Sequence, residues 1–353
     1  MKTSLRTLLA AALVAGTASA AQAQTPDSAF AVSSGGVGLF RVNVDAGALW
    51  GGTYDGDISG EGVPAEGAGT RMMWYPRKAA FRAGYINGTQ WDAANIGEYS
   101  VAIGQEVRAS GSNGVAFGLR STAAGSSTFA VGEDNTASGA ASVALGYHAH
   151  TNARQGSFVF GDRSTVDTIR AGVNHSANWR VSGGFRIFTS SNLSTGVTVQ
   201  SGSSVSNWGQ SNAVISTSTG AYLHTNGTWT NASDVNRKHL FEDVSGEDVL
   251  ARLRTLPISR WTYKTEDANV RHLGPMAQDF RAVFGLGDDD RVIGTVDADG
   301  VALAAAKALE ARTATQASRI EALEAQNAAL RGENAEMRAR LERLEALIAG
   351  GSR

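Results

Sequence analysis

A mainly β chain that closes in a helical coiled coil is the fold the sequence predicts, on three observations. One unit of fourteen residues recurs four times without a gap between Gly97 and Asn152. Glycine occurs 42 times and only 18% of residues are charged, a composition suited to turn-rich β structure. From Ile320 onward, apolar residues fall on a heptad.

The repeats read GEYSVAIGQEVRAS, GSNGVAFGLRSTAA, GSSTFAVGEDNTAS and GAASVALGYHAHTN. Gly97, Gly111, Gly125 and Gly139 open them, and Gly104, Gly118, Gly132 and Gly146 close each short apolar run. A looser fifth copy, GSFVFGDRST, follows around Gly161, one residue out of phase. Fourteen residues is too short for a helical hairpin, and the runs alternate (Val101, Ile103; Val115, Phe117; Val143, Leu145), so each unit is read as two short strands with glycine turns, stacked as a solenoid. Ala102, Ala116, Ala130 and Ala144 fall on the opposite strand face. Their small side chains are expected to let a neighbouring surface approach closely, such as another copy of the chain.

The S-x-A-φ-G core with its glycines in register resembles the head repeats of trimeric autotransporter adhesins, the YadA-like head, over roughly 70 residues. The resemblance implies a left-handed parallel β-roll and three rolls packed together as a homotrimer.

The flanks are read in order. Lys2 and Arg6, the apolar run Leu8 to Val14 and the small residues up to Ala23 have the layout of a secretory signal peptide over 1–23, with cleavage after Ala23. Residues 24–96 form a β-rich lead-in: Phe40 to Trp50 alternates like a strand, and Gly51 to Gly69 is a glycine-rich acidic loop. The aromatic and basic stretch Gly69 to Ile86 is read as the cap that covers the first repeat of the 97–165 head. Trp74, Tyr75 and Trp91 could stack on a sugar, but cap packing is the commoner fate of such rings. Residues 166–232 are rich in Ser, Thr, Asn and Gly, with strands expected at Trp179 to Phe188, Gly196 to Gln200 and Ala213 to Ser216. Strands this thin bury too little surface alone, so 166–232 is read as a shaft of interlaced chains.

Composition changes at Ser233. Val244 to Leu256 has the helical period and ends before Pro257, Ile258 to Tyr263 alternates as a strand, and Val301 to Ala311 starts a helix. In the coil over 312–353, a positions are Ile320, Asn327, Asn334, Leu341 and Ile348, and d positions are Leu323, Leu330, Met337 and Leu344. The g-to-e pairs Arg319–Glu324, Glu333–Arg338 and Arg340–Glu345 attract between parallel chains, and two a-position asparagines fix register and partner number. Two or three strands remain equally open on these residues.

The segment NASDVNRKHLF (Asn231 to Phe241), with LRTLPISRWTYK, HLGPMAQDF, VDADGVALAAAKAL and the closing coil in order, resembles the intramolecular chaperone auto-processing domain of phage endosialidases and tailspikes, a self-cleaving serine peptidase family. The resemblance covers the chain from Ser233 onward. It implies an α+β chaperone domain over 233–311 that trimerises, templates the β segments before it and is released by a cut between Ala232 and Ser233. Ser233 is then the nucleophile and Lys238 the general base. A lysine amine accepts a proton at neutral pH only when desolvated, so such a pair is expected to work only once chains close around it. Asp234 is open to orienting Ser233 or capping a turn. Five residues apart on a helix, Ser233 and Lys238 would point to different faces, so an extended turn or a base from a neighbouring chain is expected.

The expected fold is therefore mainly β: a trimeric left-handed parallel β-roll head and β-rich shaft, then a small α+β chaperone domain ending in a parallel coiled coil. The expected function is an exported homotrimeric fibre protein, secreted or at the cell surface, adhesive towards a host, matrix or glycan surface. Alternatives are a structural trimer with the C-terminal domain as permanent clamp, and a tailspike-like glycan hydrolase using Asp55 with Asp57 or Glu61 with Glu66. Neither cofactor nor metal is expected: the six histidines are dispersed, His148 and His150 lack a third ligand, and there are no cysteines. A net charge of −2 points to no nucleic-acid partner, and no membrane-spanning segment or barrel anchor is legible in the mature chain, the latter a departure from autotransporter adhesins.

Overall fold

The computed structural model describes residues 28–350 apart from 35, 44–46, 59, 61, 203–207 and 209. The expected signal peptide, 1–23, and Glu61 lie outside the described residues. The chain is β-rich, with several sheets and a long C-terminal helix, and divides into two units: one runs to Ser218 and includes Tyr222–Thr228, the other comprises Thr219–Ala221 and everything from Trp229.

The first unit begins with an antiparallel sheet of β1 (Ser28–Ser34), β2 (Val37–Asn43) and β3 (Gly47–Trp50). The single strand expected over Phe40 to Trp50 is thus two strands that pair with each other. A hairpin of β4 (Gly69–Tyr75) and β5 (Ala80–Ile86) leads into the repeats. These supply β6 (Val101–Gln105), β7 (Arg108–Ala109), β8 (Val115–Leu119), β9 (Thr122–Ala123), β10 (Phe129–Glu133), β11 (Thr136–Ala137), β12 (Val143–Tyr147), β13 (Ala149–His150) and β14 (Phe158–Gly161), and β15 (Ile169–Arg170) and β16 (Ala177–Arg180) carry the ladders on into the segment expected as shaft. The long strands β6, β8, β10, β12, β14 and β16 form one parallel ladder that β5 and β4 extend, and the short strands β7 to β15 form a second. Each residue pairs with its counterpart one repeat on, as in Gly104↔Gly118 and Gly118↔Gly132.

Both glycine columns follow from this stacking. A Cβ on Gly104, Gly118 or Gly132 would meet the carbonyl oxygen of the next glycine in the column at 2.0–2.1 Å, and all three have positive φ, from 104° to 135°. A Cβ on Gly97 or Gly111 would meet the next opening glycine's oxygen at 2.1 or 1.9 Å. In three of the four repeats a hydroxyl before the long strand closes the turn: Ser100 Oγ donates to Gly97 O, Thr128 Oγ1 to Gly125 O and Ser142 Oγ to Gly139 O, at 2.5–2.7 Å, while the second repeat has Gly114 at this place. Asn135, wholly buried at a corner, donates to Val131 O and Gly146 O and accepts from Ala149 N.

The alanine column does not face outward. Ala102, Ala116, Ala130 and Ala144 are wholly buried within the chain, as are Ala109, Ala123, Ala137 and Ala149 of the short strands. Between these alanines the space admits little beyond a methyl group and the larger side chains of the long strands are turned out, whereas towards the ends Arg82 and Val159 take the alanine's place in register and are also wholly buried. Two columns, Phe81–Val101–Val115–Phe129–Val143–Phe158 and Ile103–Phe117–Val131–Leu145–Phe160–Trp179, run along the outer face of the long-strand ladder. Ile103, Phe129 and Trp179 are each about two-fifths exposed.

The lead-in covers the first repeat. Arg82 stands in register with Ala102 and is wholly buried. It donates to Phe81 O, Ser100 O, Ser100 Oγ and Ala109 O at 2.8–3.0 Å, and burial pulls its guanidinium below the ordinary range. Trp91 is wholly buried and donates from Nε1 to Val107 O, and Tyr75 is buried beside it in the same core. At the other end, Asp162 accepts from Ser164, Ser182 and Arg180 Nε.

An antiparallel meander follows: β17 (Phe185–Phe188), β18 (Gly196–Val199), β19 (Ala213–Thr217) and β20 (Tyr222–His224). The strand expected over Trp179 to Phe188 is broken, because a turn closed by Gly184 N to Val181 O separates β16 from β17.

In the second unit, β21 (Trp229–Thr230) precedes α1 (Gly246–Thr255), the hairpin of β22 (Ser259–Trp261) and β23 (His272–Gly274), α2 (Ala277–Phe284) and α3 (Thr295–Gly350). Ser245 caps α1 by accepting from Asp248 N, and Gly285 ends α2 in the left-handed conformation. Val249, Leu250, Leu256, Phe280, Val301, Ala305 and Ala308 form the core. The last helix starts at Thr295, six residues before the expected Val301, and continues for 56 residues, roughly 84 Å at 1.5 Å per residue.

Candidate functional site

The residues around the expected cut lie between β21 and a short 3-10 turn, Val235–Arg237. Asp234 caps this turn, its carboxylate accepting from Asn236 N and Asn236 Nδ2 at 2.9 Å. Of the two roles open to it, the structure shows turn capping. Because the turn is a tight loop rather than a helix, it brings together two side chains five residues apart. Lys238 Nζ lies 2.7 Å from Ser233 Oγ and donates to it, within one chain. Arg237 anchors the turn by donating from Nη1 to Thr219 O at 2.6 Å.

Ala232, Ser233 and Lys238 are all exposed in the single chain. So are the apolar residues around them: Val235 is 63% exposed, Leu240 85%, Phe241 69% and Val244 69%. Leu240 also has φ 57°, an uncommon conformation for a residue with a Cβ. Apolar side chains at this density are ordinarily buried against something. Sequence reasoning gave Val235, Leu240 and Phe241 no packing role, and Val244, read there as the first residue of the helical period, lies before α1, which starts at Gly246.

The coil heptads show the same condition. Every apolar a and d residue of 320–348 is at least two-fifths exposed, from Leu323 at 40% to Ile348 at 72%. Asn327 and Asn334 turn back to their own helix, donating from Nδ2 to Leu323 O and Leu330 O. Of the carboxylates offered for glycan hydrolysis, Asp55 is paired with Arg77 and accepts from Asp57 N, and Glu66 accepts from Ala93 N. Among the described residues there is no group of three or more side chains able to hold a metal, and no helix long and apolar enough to cross a membrane.

Comparison with known families finds two matching segments. Residues 96–149 match, in the overlapping segments 96–121, 109–135 and 123–149, the family model described as YadA head domain repeat (2 copies). Residues 233–286 match the model described as Chaperone of endosialidase. The chain thus carries adhesin-type head repeats followed by an endosialidase-type chaperone domain. No curated protein and no solved structure matches it.

Proposed function

We propose that the chain is an exported homotrimeric fibre protein, adhesive at its head, whose C-terminal segment from Ser233 templates trimer folding and then leaves by self-cleavage. The parts are a signal peptide (1–23), a lead-in (24–96), a left-handed parallel β-roll head (97–165), a shaft (166–232), the auto-processing chaperone (233–311) and a parallel coiled coil (312–353). Two observations favour self-association: the outward apolar columns of the long-strand ladder and the uncovered heptad seam. Both are ordinary interiors once three chains meet.

The observation that carries the processing reading is the 2.7 Å contact between Lys238 Nζ and Ser233 Oγ, set among exposed apolar residues. Trimer closure over Val235, Leu240, Phe241 and Val244 expels water from around the pair, the condition a serine–lysine pair needs for proton transfer. Ser233 Oγ then attacks the Ala232 carbonyl carbon while its proton passes to Lys238. The peptide C–N bond breaks, and the Ser233 nitrogen leaves as an amine after taking that proton. Water hydrolyses the resulting ester, freeing the Ala232 carboxylate and restoring the Ser233 hydroxyl. Assembly thereby times the cut.

Denaturing gels with N-terminal sequencing test this. The wild type should yield a fragment beginning at Ser233, and Ser233→Ala and Lys238→Ala should stay full length while still forming trimers. An intact wild-type chain in a folded trimer would leave the permanent clamp as the better reading.

A further inference from the structure

We propose that a polar pocket at the start of the head, next to Arg108, binds a carboxylated sugar. The pocket holds about 430 Å³ and is formed where the 88–95 loop meets the first two short strands, with Thr89, Gln90, Glu106, Arg108, Arg120 and Thr122 among its lining residues. Its size is at the low end for small-ligand sites, suited to one or two sugar rings.

Three features define the chemistry. Arg108 is half-buried and has no carboxylate, carbonyl or ring partner among the described residues. Its neighbour Arg120 is committed, with Nε and Nη2 on the Asp134 carboxylate at 2.7 and 2.6 Å and Nη2 near Glu133 at 3.3 Å. Arg108 is therefore the cation left for a ligand, and a guanidinium matches a carboxylate in two-point geometry. Second, Gln90 Oε1 is a buried acceptor without a donor, while Gln90 Nε2 is held by Asn87 Oδ1 at 2.6 Å. A buried acceptor without a donor is unfavourable, and a ligand hydroxyl relieves it once the Gln90 amide turns to face the pocket. Third, Glu106 offers further acceptors to hydroxyls and disfavours a doubly charged phosphate ester beside it. A single carboxylate on a ring of hydroxyls meets all three.

The pocket also stands on the face that assembly leaves open. Arg108 and Thr122 belong to the short-strand ladder, whose inward residues Ala109 and Ala123 are wholly buried. The apolar columns proposed to meet other chains are on the long-strand ladder. This orientation rests on the trimer reading, but every pocket residue comes from one chain, so the two can fail separately.

Saturation-transfer NMR and titration calorimetry on the purified full chain, with sodium glucuronate, N-acetylneuraminate and neutral glucose, test the proposal. At least one acid should bind saturably, with glucose at least tenfold weaker; which acid binds identifies the source. Arg108→Gln should weaken binding at least tenfold and Gln90→Ala severalfold, with melting curves confirming that both variants fold. Binding of neither acid, equal affinity for glucose, or unchanged affinity in a folded Arg108→Gln overturns it. Sedimentation of the same samples reads the trimer independently.

Discussion

Placing a methyl group on Gly118 tests the stacking account at its tightest point. Gly118 has φ 104°, and a Cβ there would lie 2.1 Å from the carbonyl oxygen of Gly132. Ordinary contact begins near 3.4 Å, so neighbouring strands must part by about an ångström or the chain must leave its conformation. Holding an L-residue in that backbone region costs about 1–3 kcal/mol. Overpacking by one methyl in a closed interior costs about 1–3 kcal/mol more. Gly118→Ala should therefore lose about 2–6 kcal/mol, a large share of the about 5–15 kcal/mol by which domains are stable. The matched control is Gly172→Ala, where a Cβ meets nothing within 4 Å and φ is not positive, so the change should lie within about 0.5 kcal/mol of neutral or slightly stabilise. Urea unfolding followed by circular dichroism gives both values. If Gly118→Ala costs no more than Gly172→Ala, the close approach of the columns is not what selects glycine.

Other consequences concern the ends of the chain. Hydrogen bonds from Ser164, then Ser182, hold the Asp162 carboxyl well below the usual carboxylate range. A depressed acid stabilises the fold above its unfolded value of about 4, and that contribution is lost as pH falls through the folded value. Asp162→Asn should thus lower the urea midpoint at about pH 6 and differ progressively less from wild type below about pH 4. Replacing Asn327 and Asn334 together by isoleucine should raise the melting temperature of the coil while admitting two-stranded species, since isoleucine at a with leucine at d favours pairs. A single unchanged stoichiometry with no gain in stability would count against their specificity role. Leu250→Ala removes a core side chain that joins α1 to α3 and should cost the chaperone unit about 2–5 kcal/mol, seen as a lower yield of trimer at raised temperature.

How far the sequence speaks depends on whether a property is periodic. Strand positions and both glycine columns were legible because each recurs every fourteen residues and each has one steric cause. Which face was interior was not, because the usual rule places large apolar residues inside. Here the middle of the ladders encloses only Ala102 and its counterparts, larger side chains such as Arg82 and Val159 enter only towards the ends, and Val101, Ile103 and Phe117 are turned out. The break between β16 and β17 was hidden by apolar residues on both sides of Ser182-Gly183-Gly184. Arg82 gave no sign of burial, since only its register with Ala102 puts it at the end of the alanine column. At the candidate cleavage site, a spacing of five could not give the distance from Ser233 to Lys238. The 3-10 turn capped by Asp234 sets it. The Arg108 pocket depends on a loop meeting two strands, a juxtaposition no local motif announces.

The most direct measurement is the mass in solution of the full chain carrying Ser233→Ala, taken by sedimentation equilibrium after refolding. Three chains per particle over a wide dilution range is the expected result, with the outer apolar columns and the heptad seam shielded from a hydrophobic dye. A stable, dye-silent particle of one chain would contradict the account.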